Sequence, residues 1–267
     1  MMPDSTSIHE FLSVHTMDGV LYLHLNRPEK LNSFAGRMRE DIRAVIEEAD
    51  ADPSIGCIVL RGEGRAFCAG GDVGVMESLR ESGDTGDFER ILDAANAAAL
   101  ALRRCRAPTV ALVHGPAAGG GANLALGCDV RLGSPNTSFT QSFIHLGLAP
   151  DWGGSRLLRE VVGPDRAREL LLTGRTVRSD EALTLGLVHR VLDDDAALTE
   201  EGDRVARFLA RRSPLAVEAI RSLLDSQDDF AAQLESERAW QLKCFDSAEA
   251  KAAFTAFMAR RNRPRGK

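Results

Sequence analysis

The chain has 267 residues, of which 44% are hydrophobic, and its formal net charge is −6. This length and apolar content are enough for one substantial core with a small appendage. The acidic balance gives no indication of a nucleic-acid-binding surface, and five cysteines, an odd number lying mostly in apolar segments, favour reduced thiols over a disulfide framework. No cysteine or histidine spacing suggests a metal site, and no signal sequence or transmembrane stretch is visible, so we expect a cytoplasmic protein without a metal or a membrane partner.

The first two thirds of the chain alternate between strand and helix patterns. Short apolar strands are predicted at 20–25, 57–60, 109–113, 129–132 and 138–140. Apolar residues at helical spacing predict helices between them, over 34–49, 88–102 and 121–126. Repeated strand–turn–helix units imply parallel strands joined by right-handed crossovers, and the predicted fold class is therefore α/β.

Only helical patterns are visible from about residue 200 onward. The predicted helices are 205–210, 216–224, 230–245 and 249–261. Helices without a sheet of their own must bury their apolar faces on the main domain or on another subunit. We therefore predict an α/β core over residues 1–199 and a C-terminal helical region over residues 200–267.

Two glycine-rich turns follow predicted buried strands. The first contains Ala69-Gly70-Gly71-Asp72, and the second contains Gly119-Gly120-Gly121 at the start of a predicted helix. Because glycines carry no Cβ atom, a ligand can approach their backbone N–H groups, and the first N–H groups of a helix have no intrahelical acceptor. The two turns are therefore suited to direct N–H groups at a single oxygen atom from two sides.

Other functions of these segments are less well supported by the residues. Phe67 stands where a dinucleotide motif starting at Gly62 requires its third glycine, and no phosphate-binding Walker A sequence occurs. Cys68 is close to a helix N-terminus that would favour a nucleophilic thiolate, but its apolar neighbours favour a packed thiol. His114 and His145 are candidate general bases, yet a lone histidine at a strand end is more often structural.

Four ordered motifs resemble those of the crotonase superfamily, which comprises enoyl-CoA hydratases and isomerases. The motifs lie at 25–32, 66–72, 119–121 and around 252–254, so the resemblance covers nearly the whole chain. It implies a crotonase-like spiral of ββα units with a C-terminal helical trimerisation region, in homotrimers or dimers of trimers. It also implies an acyl-CoA thioester as the substrate, with coenzyme A as part of that substrate and no further cofactor.

The resemblance also assigns roles to individual residues. The N–H groups of Gly71 and Gly120 would hold the thioester carbonyl. Further substrate contacts would come from the same motifs, from the walls of the pocket and from the tail, namely Lys30, Ala69, Gly70, Asp72, Val73, Asn123, Phe143, Trp152 and Phe254.

The carboxylates distinguish between the reactions of this family. Its hydratases use two glutamates, and by count from the glycine triplet those positions hold Asn123 and Phe143, neither of which can accept a proton. Asp151 lies in a Pro-Asp-x-Gly-Gly segment that is similar to enoyl-CoA isomerases related to 1,2-epoxyphenylacetyl-CoA isomerase, in which this aspartate is the acid/base. From the residues alone, Asp151 could equally cap the following helix. Trp152 beside it offers apolar surface that would raise the pKa of its carboxyl group.

We therefore predict an acyl-CoA double-bond isomerase. Asp151 would take a proton from C2 of the acyl chain and return it to C4, while Gly71 and Gly120 stabilise the enolate. Two alternatives use the same fold. A hydratase or a thioester hydrolase would incorporate water into its product, and a non-catalytic acyl-CoA-binding member would bind the ester without turnover.

Overall fold

The computed structural model of the protein describes residues 5–83, 85–226 and 229–261. The chain forms two compact units, the first ending at Ala210 and the second beginning at Arg211. No helix in these described ranges is long and apolar enough to cross a membrane.

Strands and helices alternate in the first unit, and the described part of the second unit is helical. The strands are β1 (Ser5–His9), β2 (Leu12–Met17), β3 (Val20–Leu25), β4 (Cys57–Gly62), β5 (Thr109–Val113), β6 (Pro116–Ala118), β7 (Val130–Gly133), β8 (Ser138–Thr140), β9 (Thr176–Arg178) and β10 (Arg190–Val191). The helices of the first unit are α1 (Met38–Ala51), α2 (Val73–Ser82), α3 (Thr85–Arg104), α4 (Gly120–Leu126), α5 (Gly154–Val162), α6 (Pro164–Thr173), α7 (Ser179–Thr184) and α8 (Asp195–Ala210). The helices of the second unit are α9 (Pro214–Asp225), α10 (Phe230–Phe245) and α11 (Ala248–Arg261). Two short 3-10 helices lie at Pro28–Lys30 and Ser142–Leu146.

The main sheet has seven strands in the order β1-β2-β3-β4-β5-β7-β10. Its first three strands are antiparallel neighbours, whereas β3, β4, β5, β7 and β10 run parallel. The parallel arrangement predicted for the strands from 20–25 to 129–132 is thus confirmed. The strands β1 and β2, which were not predicted, extend the sheet at one edge, and a smaller sheet joins β6, β8 and β9.

Both faces of the main sheet are buried. In β3, Leu21 and Leu23 belong to the larger hydrophobic core, to which α1 and α3 contribute, while Val20 and Tyr22 on the other face belong to a smaller cluster with Leu198 of α8. Side chains of a strand alternate between its two faces, and burial on both faces is typical of parallel strands. The sheet therefore forms a rigid layer whose strand ends can position loops accurately.

Helix α8 determines where this core ends. It packs on β3, β4, β5 and β7, so residue 200, the predicted start of the C-terminal region, lies inside a helix of the first unit. The compact units are divided after Ala210 instead of after residue 199. Periodicity does not indicate this difference, because a helix that covers a sheet and a helix that covers another subunit both present one apolar face.

Candidate active site

The first glycine turn lies beside the second because the segments that lead to them pair like parallel strands. The N–H group of Cys68 donates to the carbonyl of Pro116 at 3.1 Å, and the N–H group of Ala118 donates to the carbonyl of Cys68 at 2.9 Å. A Cβ atom on Gly70 would lie 2.6 Å from the oxygen of Ala118 and 3.4 Å from the nitrogen of Gly120. Only glycine permits this approach, and φ at Gly70 is +88°. The two predicted turns therefore meet at one place.

Each turn presents a backbone N–H group without an acceptor. Gly120 is the first residue of α4, and Gly71 lies directly before the cap of α2. In the part of the chain that the structure describes, neither N–H group donates to a protein acceptor. By contrast, the N–H group of Gly119 donates to the carbonyl of Thr140 at 2.9 Å. A pair of unengaged, fixed N–H donors is what an oxyanion hole requires.

Asn32 forms hydrogen bonds that hold the segment leading to the first glycine turn, and no sequence pattern indicated this role. Its buried side chain donates through Nδ2 to the carbonyls of Glu63 and Ala66, both at 2.8 Å. Its Oδ1 accepts the N–H group of Arg27 at 2.9 Å, and the guanidinium of Arg27 donates to the carboxylate of Asp72 at 2.6 Å. The motifs at 25–32 and 66–72 are therefore one hydrogen-bonded structure.

Asp72, a predicted substrate contact, has a structural role in this arrangement. Its carboxylate caps α2 by accepting the N–H group of Gly74 at 3.0 Å. The hydrogen bond from Arg27 is the main reason why the pKa of this carboxyl group lies below its usual range, and the hydrogen bonds of the helix cap lower the pKa further. Of the other predicted contacts in these motifs, Lys30 and Val73 are exposed, Ala69 is half-buried and Gly70 is buried.

Trp152 packs beneath the start of α4. Its side chain is 1% exposed and stacks on Phe34, with ring centroids 4.9 Å apart and planes inclined by 16°. A Cβ atom on Gly120 would lie 2.9 Å from the Trp152 indole, so packing also requires glycine at that position. The backbone of Trp152 has a φ of 51°, which a bulky residue adopts only where its surroundings enforce it. The Trp152 side chain, which was predicted to contact substrate, thus packs against Gly120 in the core, directly after Asp151 in the chain.

Asp151 holds a carboxyl group that is largely withdrawn from water. Its Oδ1 is buried and has no hydrogen-bond partner among the described residues. Burial raises the pKa of this carboxyl group to about 6, and the positive charge of Arg39 opposes the rise. The helix α5 begins after Gly153 without a side-chain cap, so Asp151 does not cap that helix. A carboxyl group that titrates near neutral pH in an apolar environment can exchange a proton with a ligand.

Of the two positions predicted to correspond to the hydratase glutamates, one holds a hydrogen-bonded side chain and the other an apolar one. Asn123 is 1% exposed, donates through Nδ2 to the carbonyl of Asp151 at 3.0 Å and accepts from Gln141 at 2.9 Å. Its amide therefore holds the main chain that carries Asp151. The ring of Phe143 lies 3.6 Å from where a Cβ atom on Gly119 would be, so an apolar group faces the second glycine turn.

The other candidate nucleophile and bases have structural roles. The thiol of Cys68 is buried and donates to the carbonyl of Asn32 at 3.0 Å, and burial raises its pKa to about 12. Ring nitrogens of His114 and His145 each lie within hydrogen-bonding distance of a backbone carbonyl, at 3.0 and 2.9 Å. Within the described ranges, no group of side chains is arranged to hold a metal ion.

Phe254, the predicted contact in the tail, belongs to α11 of the second unit. Its side chain is exposed and meets Phe245 of α10 edge-on, with ring centroids 6.0 Å apart. Its contact with substrate stays a prediction.

An α/β core with two glycine turns that meet, next to a Pro-Asp-x-Gly-Gly segment, defines a protein of the crotonase type. The chain belongs to the enoyl-CoA hydratase/isomerase family, whose model matches residues 15–265. It is similar to 1,2-epoxyphenylacetyl-CoA isomerase of Escherichia coli, with 34% identity over 256 residues that cover 95% of this chain and 97% of that protein.

Other relatives have hydratase names. The short-chain-enoyl-CoA hydratase of Clostridium acetobutylicum is 31% identical over 247 residues, which cover 91% of this chain and 92% of that protein. The crystal structure of an enoyl-CoA hydratase from a Polaromonas species superposes with a TM-score of 0.88 at 28% identity, covering 93% of this chain and 97% of the other. The family is one of enzymes that act on CoA thioesters, and the choice between its reactions depends on the residues of the site.

Proposed function

We propose that this protein is an enoyl-CoA isomerase that moves the double bond of a 3-enoyl-CoA ester to position 2. The N–H groups of Gly71 and Gly120 hold the thioester oxygen, and Asp151 is the single acid/base. The observation that carries the proposal is the buried carboxyl group of Asp151, whose Oδ1 has no hydrogen-bond partner among the described residues, with Asn123 and Phe143 in the positions assigned to the hydratase glutamates. A double-bond shift needs one proton carrier, so one carboxyl group is sufficient.

The reaction moves one proton and two electron pairs. The Asp151 carboxylate removes a proton from C2, and the electron pair of that C–H bond moves toward the thioester to form an enolate. The N–H groups of Gly71 and Gly120 stabilise the negative oxygen of the enolate. The pair then returns to form the C2=C3 bond, the C3=C4 pair takes the proton from Asp151 at C4, and the carboxylate is regenerated without consumption of water.

The test is incubation of the purified protein with a panel of 3-enoyl-CoA esters of different chain length and ring content. We expect 2-enoyl-CoA as the product, and we expect Asp151→Asn to form almost none. Accumulation of a 3-hydroxyacyl-CoA as the first product would contradict the proposal. Tight binding of every ester without turnover would identify a binding protein instead.

The pH dependence of kcat/KM should report the Asp151 carboxyl group. Burial raises its pKa to about 6, and only the ionised form can remove the C2 proton. We therefore expect kcat/KM to be constant above about pH 7 and to fall about tenfold per pH unit well below pH 6. Initial rates at low substrate concentration and constant ionic strength measure this profile. A profile that stays flat down to the ordinary aspartate value of 3.8 would indicate another base.

We also propose that the second unit makes contacts between subunits, in homotrimers or dimers of trimers. Large apolar side chains are exposed on its helices, among them Leu224, Phe230 and Phe257, and Phe230 is 78% exposed. Single chains rarely expose extended apolar surface in water, because burying such surface is favourable.

Sedimentation should accordingly give the mass of a trimer or a hexamer at micromolar concentration. The double variant Leu224→Glu/Phe230→Glu should shift the distribution to smaller species, since a charge in an apolar contact is costly. Leu172→Glu, at an exposed position on α6 of the first unit, is the matched control and should leave the distribution unchanged. A monomeric parent protein would contradict the proposal.

A further inference from the structure

A buried arginine on α1 belongs to the same stack of side chains as the residue that follows the candidate base. Arg39 is only 8% exposed, and its guanidinium carbon lies 5.0 Å from the centre of the Phe34 ring. Phe34 in turn stacks on Trp152, the residue directly after Asp151. This stack of Arg39, Phe34 and Trp152 leads from α1 to the site and brings a positive charge within electrostatic reach of the Asp151 carboxyl group.

No direct ion pair joins the two groups. Across the described residues, Arg39 and Asp151 form neither a hydrogen bond nor a salt bridge with each other, and Nε of Arg39 and Oδ1 of Asp151 are both buried without a hydrogen-bond partner. A buried arginine without a direct partner is costly. The contact of its guanidinium with Phe34 offsets part of this cost.

The electrostatic surroundings of both groups are simple. The groups that act on Arg39 are Asp151, the thiol of Cys68 and Glu40 of the same helix, and the charge that acts on Asp151 is Arg39. Cys68 is neutral, because burial raises its pKa to about 12, and Glu40 is exposed, so water screens its charge. Asp151 is thus the one buried anionic partner that Arg39 has among the described residues.

We propose that Arg39 is a positioning residue that keeps the Asp151 carboxyl group ionised between turnovers. The inference rests on the proposed function, in which Asp151 must be a carboxylate to remove the C2 proton. Burial alone favours the protonated form, which cannot act as a base. A close ion pair would instead lower the pKa of the carboxyl group strongly and make the carboxylate a much weaker base. A buried cation held on Phe34 without direct contact lies between these two extremes.

The test compares Arg39→Met with the parent and with two matched variants. Arg39→Lys keeps the positive charge, and Arg43→Met removes an exposed arginine one turn further along α1, where Nε pairs with Glu47 at 2.7 Å. Two quantities are measured in each protein. The first is the pKa of the Asp151 carboxyl group by carbon-13 NMR, assigned through the resonance that Asp151→Asn lacks. The second is the acidic limb of the pH profile of kcat/KM for a 3-enoyl-CoA ester.

We expect Arg39→Met to raise both values by about one pH unit, since an opposite charge in the vicinity lowers a carboxyl pKa by about that amount or more. At pH 6 its kcat/KM should then be about fivefold below that of the parent, with a much smaller difference at pH 8. Arg39→Lys should lie close to the parent, and Arg43→Met should match it. A purely structural role for Arg39 would lower rates at all pH values without moving either midpoint.

An unchanged Asp151 pKa in Arg39→Met would overturn the role of Arg39, whatever the rates. A raised Asp151 pKa with an unmoved acidic limb would support that role and would instead contradict Asp151 as the base, and with it the proposed function. If Arg39→Met does not fold, Arg39→Gln removes the charge while retaining hydrogen-bonding groups, and the same two measurements apply to it.

Discussion

Replacing Asp151 with asparagine is expected to lower kcat for a 3-enoyl-CoA ester by about 10²–10⁴-fold, the usual contribution of a general acid–base group. Asparagine keeps the shape of the side chain but cannot take a proton, so affinity for the ester should change little. Asn123→Ala is the comparison. Asn123 forms a hydrogen bond with the main-chain carbonyl of Asp151 and not with its carboxyl group, so this substitution should lower kcat less. Equal rates in the parent and in Asp151→Asn would exclude Asp151 as the proton carrier.

The same substitution should make the fold more stable at neutral pH. The pKa of the carboxyl group rises from 3.8 to about 6 on folding, so its ionisation opposes folding increasingly between these values and fully above pH 6. Asparagine removes this penalty, which amounts to about 2–3 kcal/mol. Denaturant unfolding at pH 8 should therefore favour Asp151→Asn, and the advantage should vanish near pH 4. A stability difference that does not depend on pH would mean that the carboxyl group is not buried in its ionised form.

The second large effect is expected at Gly71. Proline at this position removes the N–H donor, and loss of one donor of an oxyanion hole lowers kcat by about 10²–10³-fold. Gly71→Ala is the matched control, since it keeps the N–H group and adds a Cβ atom 3.1 Å from Sδ of Met76, which lies near the end of a flexible side chain. Gly120 is less suited, because any Cβ atom there would lie 2.9 Å from Trp152.

Circular dichroism and ester binding should show that both Gly71 variants are folded. The expected order of kcat is then parent, closely followed by Gly71→Ala, with Gly71→Pro far below. Full activity in folded Gly71→Pro would mean that the thioester oxygen is held elsewhere.

Local signals allowed much of this fold to be predicted. The strands at 57–60 and 109–113 are continuous apolar runs. Each is followed by its own glycine-rich turn nearby in the sequence, so a local pattern predicts both. Parallel pairing followed from the alternation of strands and helices. The end of the core at Ala210 did not follow, because it depends on which surface α8 covers.

The residues of the candidate site could be located from the sequence in part for the same reason. Counting from the glycine triplet assigned Asn123 and Phe143 to the positions of the hydratase glutamates. Because neither residue can accept a proton, Asp151 became the candidate acid/base. The support of the site depends on residues far apart in the chain, so no local pattern reveals it. In the sequence, Arg39 resembles any polar residue of an amphipathic helix, and Trp152 was interpreted as part of the pocket wall. Only the folded structure shows that both side chains pack on Phe34.

In the proposed reaction, one carboxyl group shuttles a proton and no water is added to the substrate. The most direct test of this reaction is incubation of the parent protein with a 3-enoyl-CoA ester in water labelled with deuterium and with oxygen-18, followed by mass analysis and NMR of the acyl chain. We expect a 2-enoyl product that contains no oxygen-18 and that carries deuterium only at C2 and C4, introduced when the proton on Asp151 exchanges with solvent before its return. A product that carries oxygen-18 at C3 would contradict the proposed reaction and would show that the protein hydrates its substrate.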